Sequence, residues 1–277
     1  MVIPLRDDNP TTRLPIFTVA LIAINVIVYF GVQPRSGEDQ IDIGGQRFAI
    51  SAEQRFTLER AAIPCELRER APLTASEAAA DECGAVMTPL GTGELFPGKN
   101  VWLAVLVSMF LHGSILHLAG NMLFLWIFGN NVEEHYGHVV FVAFYVVTGV
   151  AAMAAHYLVD PASTIPVIGA SGAIAGVMGA YLVLWPRARI LTVVPLLLFF
   201  VIYLPAGVVL GLWFGLQFFT NPNEGVAWVA HVGGFAAGAL LTLALRPFFG
   251  APRTGPRPDH PGEPGFGDFR GGYPGRG

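Results

Sequence analysis

Charge is what this chain has least of. Only 13% of its 277 residues are Asp, Glu, Lys or Arg, against about 25% in an ordinary soluble domain. Hydrophobic residues make up 53%, and the mean hydropathy is +0.55. That much apolar surface does not fit inside one water-soluble core of this size, so composition alone points to a membrane protein. A formal net charge of −4 without a dense Lys/Arg cluster excludes nucleic acid as a partner. Metal chemistry is excluded by pattern: the histidines form no HExxH, and carboxylates are nearly absent from the apolar runs. Neither a metal nor a cofactor is expected. The same lack of ionisable residues at mid-run, together with the lack of an internal repeat, argues against a transporter. No small-residue cleavage site follows the first apolar run, which therefore reads as an uncleaved helix rather than a signal peptide. Cysteine is scarce too. Cys65 and Cys83 both fall in one polar loop, where a disulfide and two free thiols are equally open.

What is present is a series of apolar runs. Leu14–Phe30 is a first span, short for a ~30 Å hydrocarbon core. A large polar loop, 31–100, follows with seven basic and eleven acidic residues. In it Glu53–Ala62 and Ala75–Glu82 read as short surface helices. Val101–Leu111 is expected to dip into the interface, and Ser114–Phe128 to be the second span. A polar turn, Gly129–Gly137, leads to the third, His138–Tyr157. The fourth is Gly169–Trp185. Pro195 and Pro205 break the next thirty residues, so 190–204 reads as a partly embedded connection and Pro205–Phe219 as the fifth span. Val226–Leu245 is the sixth. The Gly/Pro-rich tail, 247–277, cannot build a core and reads as disordered. The expectation is an all-α, multi-pass protein of a bacterial-type plasma membrane, with a 14–246 membrane domain. Arg187, Arg189, Arg246 and Arg253 place both termini, including residues 1–13, in the cytoplasm.

With that topology four polar side chains meet in the outer part of the bilayer. Ser171 opens the fourth span and His231 lies near the start of the sixth. His117 and Asn121, four apart, share one face of the second. A serine and a histidine at one depth in hydrocarbon suggest a nucleophile and its base. The competing reading is packing, in which Gly172 and Gly176 face Gly234 and Gly238 to let two helices approach closely.

These segments resemble the rhomboid family of intramembrane serine proteases. His112-Gly113-Ser114-Ile115-Leu116-His117-Leu118-Ala119-Gly120-Asn121 is similar to the family's second-helix signature, and 129–137 to the turn after it. Gly169-Ala170-Ser171-Gly172 resembles the nucleophile motif, and His231-Val232-Gly233-Gly234 with Gly238 the last-helix motif. The resemblance covers about residues 14–246 and implies a six-helix rhomboid-like bundle with a Ser171–His231 dyad. Asn121 and His117 would stabilise the oxyanion, and His112 is a candidate for positioning water or a loop. The implied function is an intramembrane endopeptidase whose partners are the bilayer and transmembrane protein substrates; an inactive, helix-binding relative is the alternative. Two positions depart from the family's pattern. A Trp-Arg pair is absent near Leu103-Ala104, and a small residue, Ala175, stands where some members place an aromatic beneath the histidine. No Asp or Glu in the last three spans completes a triad, so packing is expected to orient the imidazole. Glu133 is expected to tie the cytoplasmic turn, with His135 and His138 at the interface and His156 outside the chemistry.

Overall fold

The computed structural model describes residues 3–9, 11–43, 46–87, 92–194, 200–219 and 227–252. The tail beyond 252 and most of the link before the last span lie outside them. Ten helices and five strands appear among the described residues. The chain is mostly helical, but it is not all-α.

Helix α1, Ile16–Ile27, runs into a π-helical turn, Val28–Val32. The main bundle is α6 (Ile115–Tyr136), α7 (His138–Val159), α8 (Ser171–Leu184), α9 (Ala206–Gln217) and α10 (Trp228–Phe249). Of these, α6, α7 and α10 are long and apolar enough to cross a membrane, while the runs 16–32, 171–184 and 206–217 are shorter apolar helices. Helix α8 is the axis: every residue from Gly172 to Tyr181 is buried.

Its neighbours come close because the contact positions lack side chains. A Cβ on Gly234 would overlap the Gly172 carbonyl oxygen, one on Gly238 that of Gly176, and one on Gly179 that of Phe235. The α8 glycines present their other flank to α7: a Cβ on Gly172 would fall 2.6 Å from Ala152 Cβ. Helix α8 is thus gripped from two sides at near backbone contact, which is how membrane helices gain dispersion energy where lipid already solvates apolar groups.

The expected turn at Gly129–Gly137 is instead the last two turns of α6, which ends at Gly137 with φ +77°. Its polar residues serve other elements. Helix α1 starts after Pro15 without a side-chain cap. Glu133 supplies one, accepting the N–H groups of Phe17 (2.9 Å) and Thr18 (2.7 Å), where a carboxylate also complements the helix dipole.

The expected embedded connection is a β-hairpin. Strands β4 (Arg189–Val194) and β5 (Phe200–Pro205) pair antiparallel, and β1 (Ile3–Asp7) joins the outer side of β4. β-Branched residues at 190, 192–194, 201 and 202 favour that choice. Pro205 ends β5 at the sheet edge, where a missing N–H is tolerated. Since β4 follows the carboxyl end of α8, this sheet lies at the end of the bundle opposite Ser171. Asp7 reaches into it, accepting hydrogen bonds from Tyr181 Oη (2.7 Å) and Asn131 Nδ2 (2.8 Å). Burial pushes its carboxyl up to about 6.

The long polar loop is folded. It holds a hairpin, β2 (Glu38–Ile43) and β3 (Gln46–Ser51), and helices α2 (Ala52–Arg60), α3 (Pro64–Glu69) and α4 (Ala75–Ala80) before α5 (Val101–Ser108). Ser51 caps α2, and a Thr74/Glu77 capping box starts α4. Cys65 and Cys83 form a disulfide. Closing a loop of that length is worth about 3 kcal/mol in the chain-entropy account. Beside it Lys99 Nζ and Glu66 Oε2 make an ion pair at 2.6 Å, both side chains almost fully buried. Desolvation pushes the carboxyl up and the amine down, so removing either partner leaves a costly lone charge.

Candidate active site

Gly169 sets the entry to α8. Its φ of +122° is open only to glycine, and a Cβ there would strike the His117 ring at 2.8 Å. Two residues later Ser171 is the first residue of α8, so its backbone N–H lies among the free amides of a helix start. From α10, His231 Nε2 reaches Ser171 Oγ at 2.8 Å. The pair expected from sequence is therefore within hydrogen-bond range.

The other ring nitrogen decides what that bond can do. His231 Nδ1 lies 2.8 Å from Gln217 Oε1 at the last residue of α9. The Gln217 amide is itself fixed, because its Nε2 donates to the Trp213 carbonyl at 3.0 Å. A carbonyl oxygen only accepts, so Nδ1 must carry the proton. Nε2 is then the unprotonated nitrogen and accepts the Ser171 hydroxyl, as a general base requires. Trp213 also packs its ring 5.9 Å from the imidazole. Support absent at Ala175 thus comes from α9. Gln217 and Trp213 were not singled out from sequence, although a lone amide in the apolar 205–219 run is a visible signal.

Asn121 and His117 lie together on α6, as their spacing requires. Both line one cavity of about 870 Å³ with Ser171, His231, Gly169 and Trp213. Asn121 Nδ2 is 2.9 Å from His112 Nε2, which leaves the second amide hydrogen free for another acceptor. His112 is fully buried and stands behind Asn121 rather than on the cavity wall. Its main chain is clamped by Gln33, which donates to the His112 carbonyl at 3.1 Å and accepts its N–H at 3.0 Å. His112 thus contacts Asn121 through its ring and Gln33 through its main chain, and it is not among the residues that line the cavity. Its ring meets that of His117 edge-on at 5.0 Å. His156 lines the cavity farther along α7, and His138 bonds Glu133 at 2.6 Å at the opposite end.

The sequence profile of the Rhomboid domain matches residues 99–248, which hold every residue just described except Gln33. The chain belongs to the rhomboid family. It is 33% identical to "Rhomboid protease GluP" of Bacillus subtilis over 159 residues, 57% of this chain and 28% of that protein. It is 28% identical to "RHOMBOID-like protein 4" of Arabidopsis thaliana over 249 residues, 86% and 54% of the two lengths. Over 88 residues it is 36% identical to "Presenilin-associated rhomboid-like protein, mitochondrial" of Mus musculus, 31% and 23% of the two. This rhomboid thus spans about half, or less, of the relatives it matches. The Cys65–Cys83 disulfide and the elements β2, β3 and α2–α4 precede the matched region.

Proposed function

We propose that this rhomboid is an intramembrane serine endopeptidase, with Ser171 as nucleophile and His231 as base. The observation that carries the reading is the relay of Gln217 Oε1, His231 and Ser171 Oγ, each link 2.8 Å. On this reading six apolar helices, α1 and α6–α10, span the bilayer. The short α8 is tolerated because protein surrounds it. Both termini and the Arg187/Arg189 turn face the cytoplasm, and Ser171 opens toward the outer compartment.

Ser171 Oγ attacks the scissile carbonyl as His231 Nε2 takes its proton and then returns it to the leaving amine. Negative charge on the carbonyl oxygen is met by the Ser171 N–H and the free amide hydrogen of Asn121, with His117 as a further donor. Water entering the cavity hydrolyses the acyl-enzyme, again with His231 as base. Gln217 is neutral and orients the ring without the charge of a carboxylate, so turnover is slower than that of a full triad. Because a helix hides its carbonyls in hydrogen bonds, the substrate is a transmembrane protein unwound near the outer face.

The test uses the purified full-length chain in liposomes with a single-span substrate. Ser171→Ala and His231→Ala should each abolish cleavage, and Ser171→Ala should abolish fluorophosphonate labelling. Undiminished hydrolysis by either variant would end the assignment. Mass spectrometry of the products places the cut, which the proposed topology requires near the outer face.

A further inference from the structure

We infer that the Cys65–Cys83 disulfide and Asp81 are positioning elements for the active-site loop 160–170, so that reducing the disulfide loosens one wall of the substrate cavity. The inference rests on the reading of Ser171 as a nucleophile open to the outer, oxidising side.

Adjacent residues of that loop are gripped from the two sides of the disulfide. On one side the Cys65 N–H donates to the Ser163 carbonyl at 2.9 Å. On the other Asp81, two residues before Cys83, accepts the Thr164 hydroxyl. Asp81 is held at φ +53° at the carboxyl end of α4, a left-handed conformation uncommon outside glycine. The sulfur bridge is a covalent short cut between these two grips, which the main chain joins only by way of α3 and α4. Farther along the loop, Val167 N–H donates to the Ala62 carbonyl at 2.9 Å, and Ala62 N–H to Ser108 Oγ at 2.6 Å. The Ser108 carbonyl in turn accepts the Gly169 N–H at 2.9 Å, two residues before Ser171.

This matters because the gripped segment is cavity wall. Asp160, Ser163, Ile165 and Val167 line the space that holds Ser171 and His231. An extended substrate backbone must lie against that wall, and a mobile wall binds it less well. Cys65 is buried and Cys83 partly exposed, so a thiolate reaches the bridge at Cys83. In the exchange an external dithiol supplies two electrons and two protons. It leaves as a disulfide, and Cys65 and Cys83 remain as thiols.

The experiment compares the native chain with Asp81→Ala, Asp81→Asn and the Cys65→Ser/Cys83→Ser double variant, each full length in liposomes. Three readouts separate the possibilities: steady-state cleavage, fluorophosphonate labelling of Ser171, and hydrogen exchange of 160–169. Asp81→Ala should raise KM for the transmembrane substrate by about tenfold, the scale of losing a charge-assisted hydrogen bond, with kcat and labelling little changed. Asp81→Asn keeps an acceptor for Thr164 and should restore KM. A dithiol reductant should raise both KM and exchange of 160–169 in the native chain and add nothing in the cysteine variant. KM and exchange unchanged by Asp81→Ala and by reductant would overturn the clamp, with the dyad standing. Native protein that resists labelling would instead remove the dyad, and exchange would still report on the clamp. Should the cysteine variant not fold, the Asp81 pair and the reductant carry the test.

Discussion

Gln217 Oε1 stands 2.8 Å from His231 Nδ1, so α9 sets the tautomer of a histidine that belongs to α10. Gln217→Leu should lower kcat by about 10- to 100-fold, less than the loss of an orienting carboxylate in a full triad. KM should stay near its native value. Gln217→Glu keeps an acceptor and should retain much more activity. A pure rise in KM for the leucine variant would show that Gln217 shapes substrate binding instead.

Asn121 and His112 should behave as one unit. Asn121→Ala should cost about 10²-fold in kcat, the scale of one oxyanion donor. His112→Leu removes the group that holds the Asn121 amide and should show part of the same loss. A double-mutant cycle checks this: the double variant should be scarcely worse than Asn121→Ala, whereas independent roles would make the two effects add.

Glycines in the bundle separate into two kinds. Gly238→Ala drives a Cβ into the Gly176 backbone, which has no flexible end to yield. It should destabilise the fold by about 1–3 kcal/mol or more. Gly211 in α9 has nothing within 4 Å of a Cβ, so Gly211→Ala should be neutral or gain up to about 1 kcal/mol. Thermal unfolding in detergent distinguishes them.

Asp7 gives the fold a pH dependence at the sheet end. Its carboxyl titrates at about 6 in the folded protein, above the ordinary 3.8, because it is buried and Asp8 is near. A raised carboxyl contributes stability that is present below pH 4 and lost as pH rises through 6. Ionisation then costs up to about 3 kcal/mol, less any relief by solvent. Asp7→Asn should therefore raise Tm at pH 8 and lose that advantage at pH 4. Equal shifts at both pH values would show that Asp7 does not titrate in this range.

Long apolar runs were legible as helices because periodicity scarcely matters when every face is apolar and length decides. The same blindness hid the β4–β5 hairpin. An uncharged stretch from Ile190 to Leu204 reads alike as strand or buried helix, and only its pairing with β1, nearly two hundred residues away, distinguishes them. The carboxyl end of α6 looks like a turn in the sequence because Asn131 and Glu133 are polar, yet they are spent on Asp7 and on the start of α1. At the site, Ser171 and His231 stood out as polar groups in apolar runs. Gln217 carries the same mark, but a neutral amide is not a carboxylate and does not read from sequence as the third member of a triad.

Helix α8 has a further consequence through its length. Fourteen residues rise ~21 Å, some 9 Å less than a ~30 Å hydrocarbon core. Its carboxyl end is tied to the sheet through Tyr181 and Asp7, so Ser171 hangs at a fixed height above that end while the far surface of the bilayer varies with lipid. The helix works as a depth gauge. On the proposed topology and activity, the serine should sit deeper below the surface in thicker membranes, and mass spectrometry of products from liposomes of longer-chain lipid should find the cut shifted toward the middle of the substrate's span.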